Sequence, residues 1–304
     1  MIATSIAMAV IAAATPLLFA AIGELVAERA GVLNLGVEGM MLIGAVTSFA
    51  VTVTSGSWVL GIIAGALAGS VMALLFAVLT LSLMANQVGT GLALTLFGIG
   101  LSSLLGRSFV GIPLPALPRL DIPGLSDLPV IGPLLFGQDI LVYLSVALAA
   151  LVAWVLKRTR MGLMLRAAGE SARSAHSLGL PVIGIRYGAT LFGGAAAGLG
   201  GAFLALAYTP MWAENMTAGR GWIAIALVVF GSWRPWRVLA GAYLFGGVSI
   251  LQMHAQGVAD LPPQLFAMLP YAATIIVLTV ISAGPWKARL NAPADLGKPF
   301  HPSL

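Results

Sequence analysis

The chain has 304 residues, of which 60% are hydrophobic and only 8% charged, with a formal net charge of +5. Soluble domains run near 45–50% apolar and about 25% charged, so a single water-soluble globule is excluded: too few charged residues exist to coat it. At about 20 residues per span with short loops, such a length holds roughly 8–10 membrane helices. A transmembrane β-barrel would need alternating segments of about 10 residues, whereas the apolar runs here are long and unbroken. The absence of cysteine excludes disulfides and thiolate metal sites. The three histidines, His176, His254 and His301, are too scattered to build a metal site. The 37 glycines and 17 prolines suit helices in lipid, where small residues allow close packing and neighbouring helices satisfy freed backbone groups.

Apolar stretches of spanning character fall at 2–23, 35–55, 57–85, 88–105, 139–156, 187–208, 221–233, 238–254 and 265–283. A signal peptide would begin with positive charge. Here the first charged residue is Glu24, so 2–23 reads as a first membrane helix. The third stretch is long enough to tilt. The seventh is short and interrupted near Gly231 and Pro235, which predicts a span that ends early or a broken helix.

Segment 157–186 carries Lys157, Arg158, Arg160, Arg166, Arg173 and Arg186 against one acid, Glu170. Positive loops stay in the cytoplasm. Alternating from there leaves only Arg107, Arg119 and Arg220 of the 15 basic residues outside, and it places the N-terminus outside. A re-entrant element over Gly31–Gly39 would change that parity. The strong one-sided bias also removes nucleic-acid binding as the reason for the positive charge. The outer loop 106–138 is rich in proline (Pro113, Pro115, Pro118, Pro123, Pro129 and Pro133), so it is expected to be an irregular connection, either passive or in contact with an external partner. The polar tail 287–304 is expected on the cytoplasmic side and partly disordered.

Within the positive loop, Met164–Leu178 favours helix, and Gly179 with Pro181 gives a stop signal. A short cytoplasmic helix of this kind is either a docking element for a cytosolic protein or an interfacial helix on anionic headgroups. Glu24, Glu28, Arg29, Asn34 and Glu38 lie beside apolar spans. Glu28 and Arg29 read as interfacial. Asn34 and Glu38 suit a buried hydrogen-bond network or a solute pathway. Asn86, Gln87 and Thr90 open the fourth span, where the amides could meet a polyhydroxyl or base-bearing solute or simply cap the helix. Gly194 and Gly198 recur at the spacing of close helix packing, and Trp212 and Trp222 suit an interface belt. No G-x-x-x-x-G-K-[ST] motif occurs, so the chain should not hydrolyse ATP.

Five stretches, in order, resemble the permease subunit of bacterial ABC importers, in the branch shared by ribose-type sugar and branched-chain amino-acid permeases. They are GVLNLGVEGMMLIGA (31–45), NQVGTGLAL (86–94), LSDLPVIGPLLFGQDILVY (125–143), RTRMGLMLRAAGESARSAHSLGLPV (158–182) and ENMTAGRGWIAIALVVFGSWRPW (214–236). Within that branch the nucleoside and simple-sugar group is most similar. The resemblance implies an all-α polytopic membrane protein of type II importer architecture, with one permease domain over 1–286 in the cytoplasmic (inner) membrane. It also implies a cytoplasmic ATPase partner that binds ATP and magnesium, a second and distinct permease subunit, and an external substrate-binding protein, all in contact with membrane lipid and none with nucleic acid. The chain itself would need no cofactor and catalyse nothing. The short cytoplasmic helix would be the coupling helix, over about 164–179, with Arg166, Glu170, Arg173 and Gly179 at family-matched positions. The solute path would draw on Asn34, Glu38, Asn86, Gln87, Thr90, Thr95 and Phe97. Few charges and several amides and hydroxyls there suit a neutral solute, a nucleoside or a simple sugar, because a charged solute would leave its charge poorly paired. Ser171 stands where the family more often has Asn, and Gly89 and Thr95 stand where aliphatic residues and Asn are more usual, which leaves the exact solute open. The rival readings are a branched-chain amino-acid permease and an ion-coupled secondary transporter. For the latter, only Glu38 is a plausible intramembrane ion-site carboxylate.

Overall fold

The computed structural model describes residues 2–120, 126, 132–256, the positions 268, 269, 272, 275, 276 and 279, and residues 292–301. The molecule is an all-α polytopic membrane protein. Its helices are α1 (Ile2–Arg29), α2 (Val37–Ser55), α3 (Trp58–Ala77), α4 (Gln87–Gly106), α5 (Ile140–Arg158), α6 (Arg160–Glu170), α7 (Ala172–Ser177), α8 (Val182–Phe203), α9 (Arg220–Phe230) and α10 (Pro235–Gln256). Wider π-type turns, Val78–Ser82 and Leu204–Tyr208, extend α3 and α8. Seven of these elements are long and apolar enough to cross a bilayer, and α9 is a shorter apolar helix. The ninth apolar stretch, 265–283, lies largely outside the described residues.

The sequence marks five of the ten described helix starts with a side chain that accepts from the orphan N–H groups of a first turn. Asn86 Oδ1 accepts from Gly89 N at 2.9 Å, and Asp139 Oδ1 accepts from Leu141 N at 3.0 Å. Thr159 Oγ1 accepts from Gly162 N at 3.1 Å, and Ser171 Oγ accepts from Ser174 N at 3.3 Å. That last cap is why the expected single helix 164–179 is two: Ser171 is extended (φ −153°, ψ 99°), ending α6 and starting α7.

Helix α8 is the hub, with α1, α2 and α3 packed around it. Lipid supplies no hydrophobic drive between helices, so close backbone approach must supply the packing. At the α2–α8 crossing, a Cβ on Gly44 would sit 2.5 Å from the Gly198 Cα, so any side chain there would push the helices apart. The outward faces of α3, α4 and α5 carry Leu67, Val71, Leu96, Leu104, Leu151 and Trp154, all exposed as bilayer-facing residues should be. The described part of the outer loop is irregular, as its prolines require. It lies along the end of α8, with Leu114 N donating to Pro210 O at 3.1 Å and Leu117 N to Leu206 O at 3.3 Å.

Two segments break the pattern of simple crossings. Between α1 and α2, residues 30–36 are not helical, yet Leu33 N meets Gln87 Oε1 at the start of α4, and Gly39 meets Gly98. From Gln87 to Gly98 is about 16 Å of rise, roughly half of a 30 Å hydrocarbon core. Helix α2 therefore starts near mid-membrane. Helix α9 begins beside the same point, since Gly221 packs on Glu38. Its 11 residues rise about 16 Å to the turn at Gly231–Arg234. The interrupted seventh span is thus a half-helix.

Candidate functional site: coupling surface and mid-membrane junction

Helices α6 and α7 lie at the end of the bundle that carries Arg29, Lys157, Arg158, Arg234 and Arg237. Leu165, Ala168, Ala172 and Ala175 face inward and are buried, while Arg166, Glu170, Arg173 and Gly179 are exposed. Beyond the bilayer end, Leu178 is 80% exposed and Met161 and Leu163 are each 60% exposed. Bare apolar and charged side chains therefore stand together on this surface. The element ends on Gly179 at φ +81°, with Gly179 N donating to His176 O at 2.8 Å and Leu180 N to Ala175 O at 3.1 Å. The space around it is open, so glycine is favoured there by the left-handed backbone itself, which side chains rarely adopt. Inward, α6 touches α1 directly: a methyl group on Gly169 would collide with the Arg29 carbonyl.

At the mid-membrane junction the Glu38 side chain is buried. Its Oε1 accepts from Gly219 N at 2.8 Å and from Thr217 Oγ1, and its Oε2 accepts from Gly221 N at 2.6 Å. A negative group at a helix N-terminus satisfies its orphan donors and opposes its dipole. The first turn of α2 thus supplies the N-terminal cap of α9. Arg220, at the same start, lies over the Tyr208 ring at 5.4 Å.

A second polar cluster sits between this junction and the coupling end. Glu24 and Glu28 belong to α1, which runs on to Arg29, so Glu28 is buried and not interfacial as its sequence position suggested. Glu24 Oε1 accepts from Asn34 N at 3.0 Å. Glu28 Oε2 accepts from Trp233 Nε1. Arg29 Nη2 and Nε both donate to Trp233 O, at 2.8 and 3.2 Å. These bonds hold the α9–α10 turn, where Ser232 and Trp233 both adopt positive φ.

The C-terminal segment closes the same end. Of the tail 287–304, the described residues 292–301 pack on the coupling element. Asp295 N donates to Gly169 O at 2.9 Å, and Asp295 Oδ2 accepts from Ala172 N at 2.8 Å. Gly297 N donates to Gly31 O at 3.1 Å, Arg186 Nη1 donates to Lys298 O at 3.0 Å, and Phe300 meets the His176 ring edge-on. Burial pushes the Asp295 carboxyl up, but the Ala172 N–H, the Lys298 ammonium and the Arg186 guanidinium together hold it below its ordinary value.

The proposed path residues divide. Asn34, Gln87 and Thr95 converge on segment 33–36: Asn34 Oδ1 accepts from Gly36 N at 2.9 Å, Gln87 Oε1 accepts from Leu33 N at 2.8 Å, and Thr95 Oγ1 donates to Leu35 O at 3.0 Å. Those groups shape the 30–36 turn. Asn86 is exposed and spent as the α4 cap, Thr90 is half-buried, and Phe97 lies on the opposite face of α4, 51% exposed. Among the path residues only Gln87 has a buried amide nitrogen with no hydrogen-bond partner among the described residues. Thr217, Trp233, Arg186 and Asp295 were not legible as partners of these groups. Only the Glu24–Glu28 spacing of four, placing both on one helix face, hinted at the inner cluster.

Residues 6–278 match the family described as "Branched-chain amino acid transport system / permease component". The chain belongs to that permease family. Similar relatives agree over nearly the whole length. TsgC13 of Haloferax volcanii, a glucose ABC transporter permease protein by provisional name, is 41% identical, covering 95% of this chain and 94% of its own. The nucleoside ABC transporter permease protein NupC of Lactococcus lactis is 34% identical over 88% of each chain. The guanosine ABC transporter permease protein NupQ of Bacillus subtilis is 33% identical, covering 94% and 93%. The permease is thus a multi-pass protein of the cytoplasmic membrane and a permease subunit of an ABC-type importer.

Proposed function

We propose that this permease moves a neutral solute, a nucleoside in the first place or a simple sugar, inward by alternating access, driven by a separate cytoplasmic ATPase that docks on α6 and α7. The observation that carries the reading is the coupling element itself. Its exposed Arg166, Glu170, Arg173, Leu178 and Gly179 form a face away from the bilayer, while its buried face is seated on the end of α1 through Gly169. A push on that face reaches α1, the 30–36 turn and hence the start of α2. ATP and magnesium belong to the ATPase, so the chain's own part is mechanical. The relatives named for glucose, nucleosides and guanosine support an uncharged solute. An external binding protein would deliver the solute. A second, distinct permease subunit would complete the path against the exposed apolar faces.

Affinity purification of this permease from its own membranes tests the ATPase assignment: an ABC ATPase should come down in stoichiometric amount. Solute uptake by the chain reconstituted alone would show an ion-coupled transporter instead. Binding isotherms of the cognate external protein against nucleosides, free bases, sugars and branched-chain amino acids test the solute. Tight binding of a nucleoside or sugar is expected, and tight binding confined to an amino acid would overturn the neutral-solute reading.

A further inference from the structure

The coupling element has a weak point. Ser171 is a single extended residue between α6 and α7. At such a break the carbonyls ending one helix and the N–H groups starting the next lose their intrahelical partners. A two-piece lever hinged on one residue would bend under load and deliver little of it.

Asp295 fills that break from 123 residues away. Its backbone N–H donates to Gly169 O, at the end of α6, while its carboxylate accepts from Ala172 N, at the start of α7. One residue therefore bonds both sides of the hinge. Next along the strap, Gly297 N donates to Gly31 O, and the Lys298 carbonyl accepts from Arg186. Arg186 Nε in turn donates to Ala30 O at 3.1 Å. Gly297 has φ +73°, a conformation that side chains rarely adopt, and this turn directs the strap at Gly31. The Lys298 ammonium closes the strap on itself at 3.2 Å from Asp295 Oδ1. Phe300 packs edge-on against His176, on α7.

We propose that residues 293–300 act as a strap that stiffens the α6–α7 hinge and ties it to the Ala30–Gly31 turn, with Asp295 as the positioning residue that makes ATPase movement reach the start of α2. This rests on α6 and α7 being the ATPase docking element. The claim concerns the transfer of force within the permease; docking itself uses the opposite, exposed face. Removing the Asp295 acceptor leaves Ala172 N–H unbonded, and loss of a hydrogen bond to a charged group lowers the population of the closed hinge by about tenfold.

The test uses the complete importer in proteoliposomes and compares Asp295→Leu with Asp295→Asn, whose amide oxygen can still accept. Solute moved per ATP hydrolysed is expected to fall about tenfold in Asp295→Leu and to stay within about twofold of wild type in Asp295→Asn. ATPase co-purification should be equal in all three. Hydrogen exchange of the peptide spanning 165–180 is read in parallel, and it should quicken in Asp295→Leu alone. Unchanged transport per ATP in Asp295→Leu overturns the proposal, whether or not exchange changes. Equal loss in both variants overturns it too, because the acceptor would not be what matters. Failure of the underlying docking assignment shows separately, as a wild-type permease that brings down no ATPase.

Discussion

Two carboxylates in this permease do the same job in different surroundings. Glu38, buried near mid-membrane, caps the start of α9 from another helix, and Asp295, in the C-terminal strap, caps the start of α7 across 123 residues. Each meets N–H groups that a broken helix leaves orphaned. Their difference is environment. Three donors converge on the buried Glu38, so the electrostatic gain is large and so is the cost of breaking it. The Asp295 side chain is 23% exposed and shares its charge with a solvent-facing lysine, so its bonds are weakened by screening and open to competition from water. The interior cap suits a fixed joint between half-helices. The strap, at the more exposed end, is the weaker of the two joints.

The sharpest way to break this contrast is to remove the interior cap. Glu38→Ala strands Thr217, Gly219 and Gly221 as buried donors and should destabilise the permease by about 3–5 kcal/mol, seen as a large fall in the thermal midpoint of the detergent-solubilised protein. Loss of less than about 1 kcal/mol would show that water or a neighbour replaces the carboxylate.

Changes on the exposed face of the coupling element should spare the fold and act on coupling. Gly179→Pro removes the φ +81° residue and a donor to His176 O, and Glu170→Arg reverses a charge on the docking face. Each should cut solute-stimulated ATPase activity by about tenfold or more, with membrane levels unchanged. A fall in membrane level without any change in stimulation per molecule would place these residues in folding.

The strap should respond to pH. Asp295 titrates below its ordinary value in the folded protein. Its contribution is therefore fully present above the unfolded carboxylate value of about 3.9 and is lost as pH falls through the lower folded value. Hydrogen exchange of the 165–180 peptide, corrected for intrinsic rate, should be flat from pH 8 to about 5 and rise only below about pH 4. A rise already complete above about pH 5 would take the control away from Asp295. The smallest effect is expected at Ser171. Asn caps as well as Ser, so Ser171→Asn should leave stability within about 0.5 kcal/mol, whereas Ser171→Ala should cost about 1 kcal/mol, both by thermal melting.

Much of this architecture was legible in the amino-acid order. Long apolar runs located the spans, and glycine and proline near 231–235 foretold the half-helix. The concentration of arginine between 157 and 186 marked the coupling end. Hidden from a linear reading were the pairings that close the site. Nothing near Glu38 names Gly219 and Gly221, and nothing near Asp295 names Ala172, because periodicity reports which face a residue occupies and not which distant donor meets it. Glu28 shows the opposite error. Its charge suggested the interface, but the α9–α10 turn covers it and Trp233 supplies a donor. Asn34, Gln87 and Thr95 looked like solute ligands because they are polar within apolar spans. The turn at 33–36, whose backbone groups must be satisfied within the membrane, draws on all three.

The central claim is that α6 and α7 receive force from an ATPase and pass it inward. The most direct measurement is the ATPase activity of the purified complex in nanodiscs, with and without solute-loaded binding protein, for wild type and Glu170→Arg. Stimulation in wild type and its loss in the variant, with the ATPase still present, is the predicted result. A wild-type permease that purifies without any ATPase, or a variant stimulated as strongly as wild type, would contradict the account.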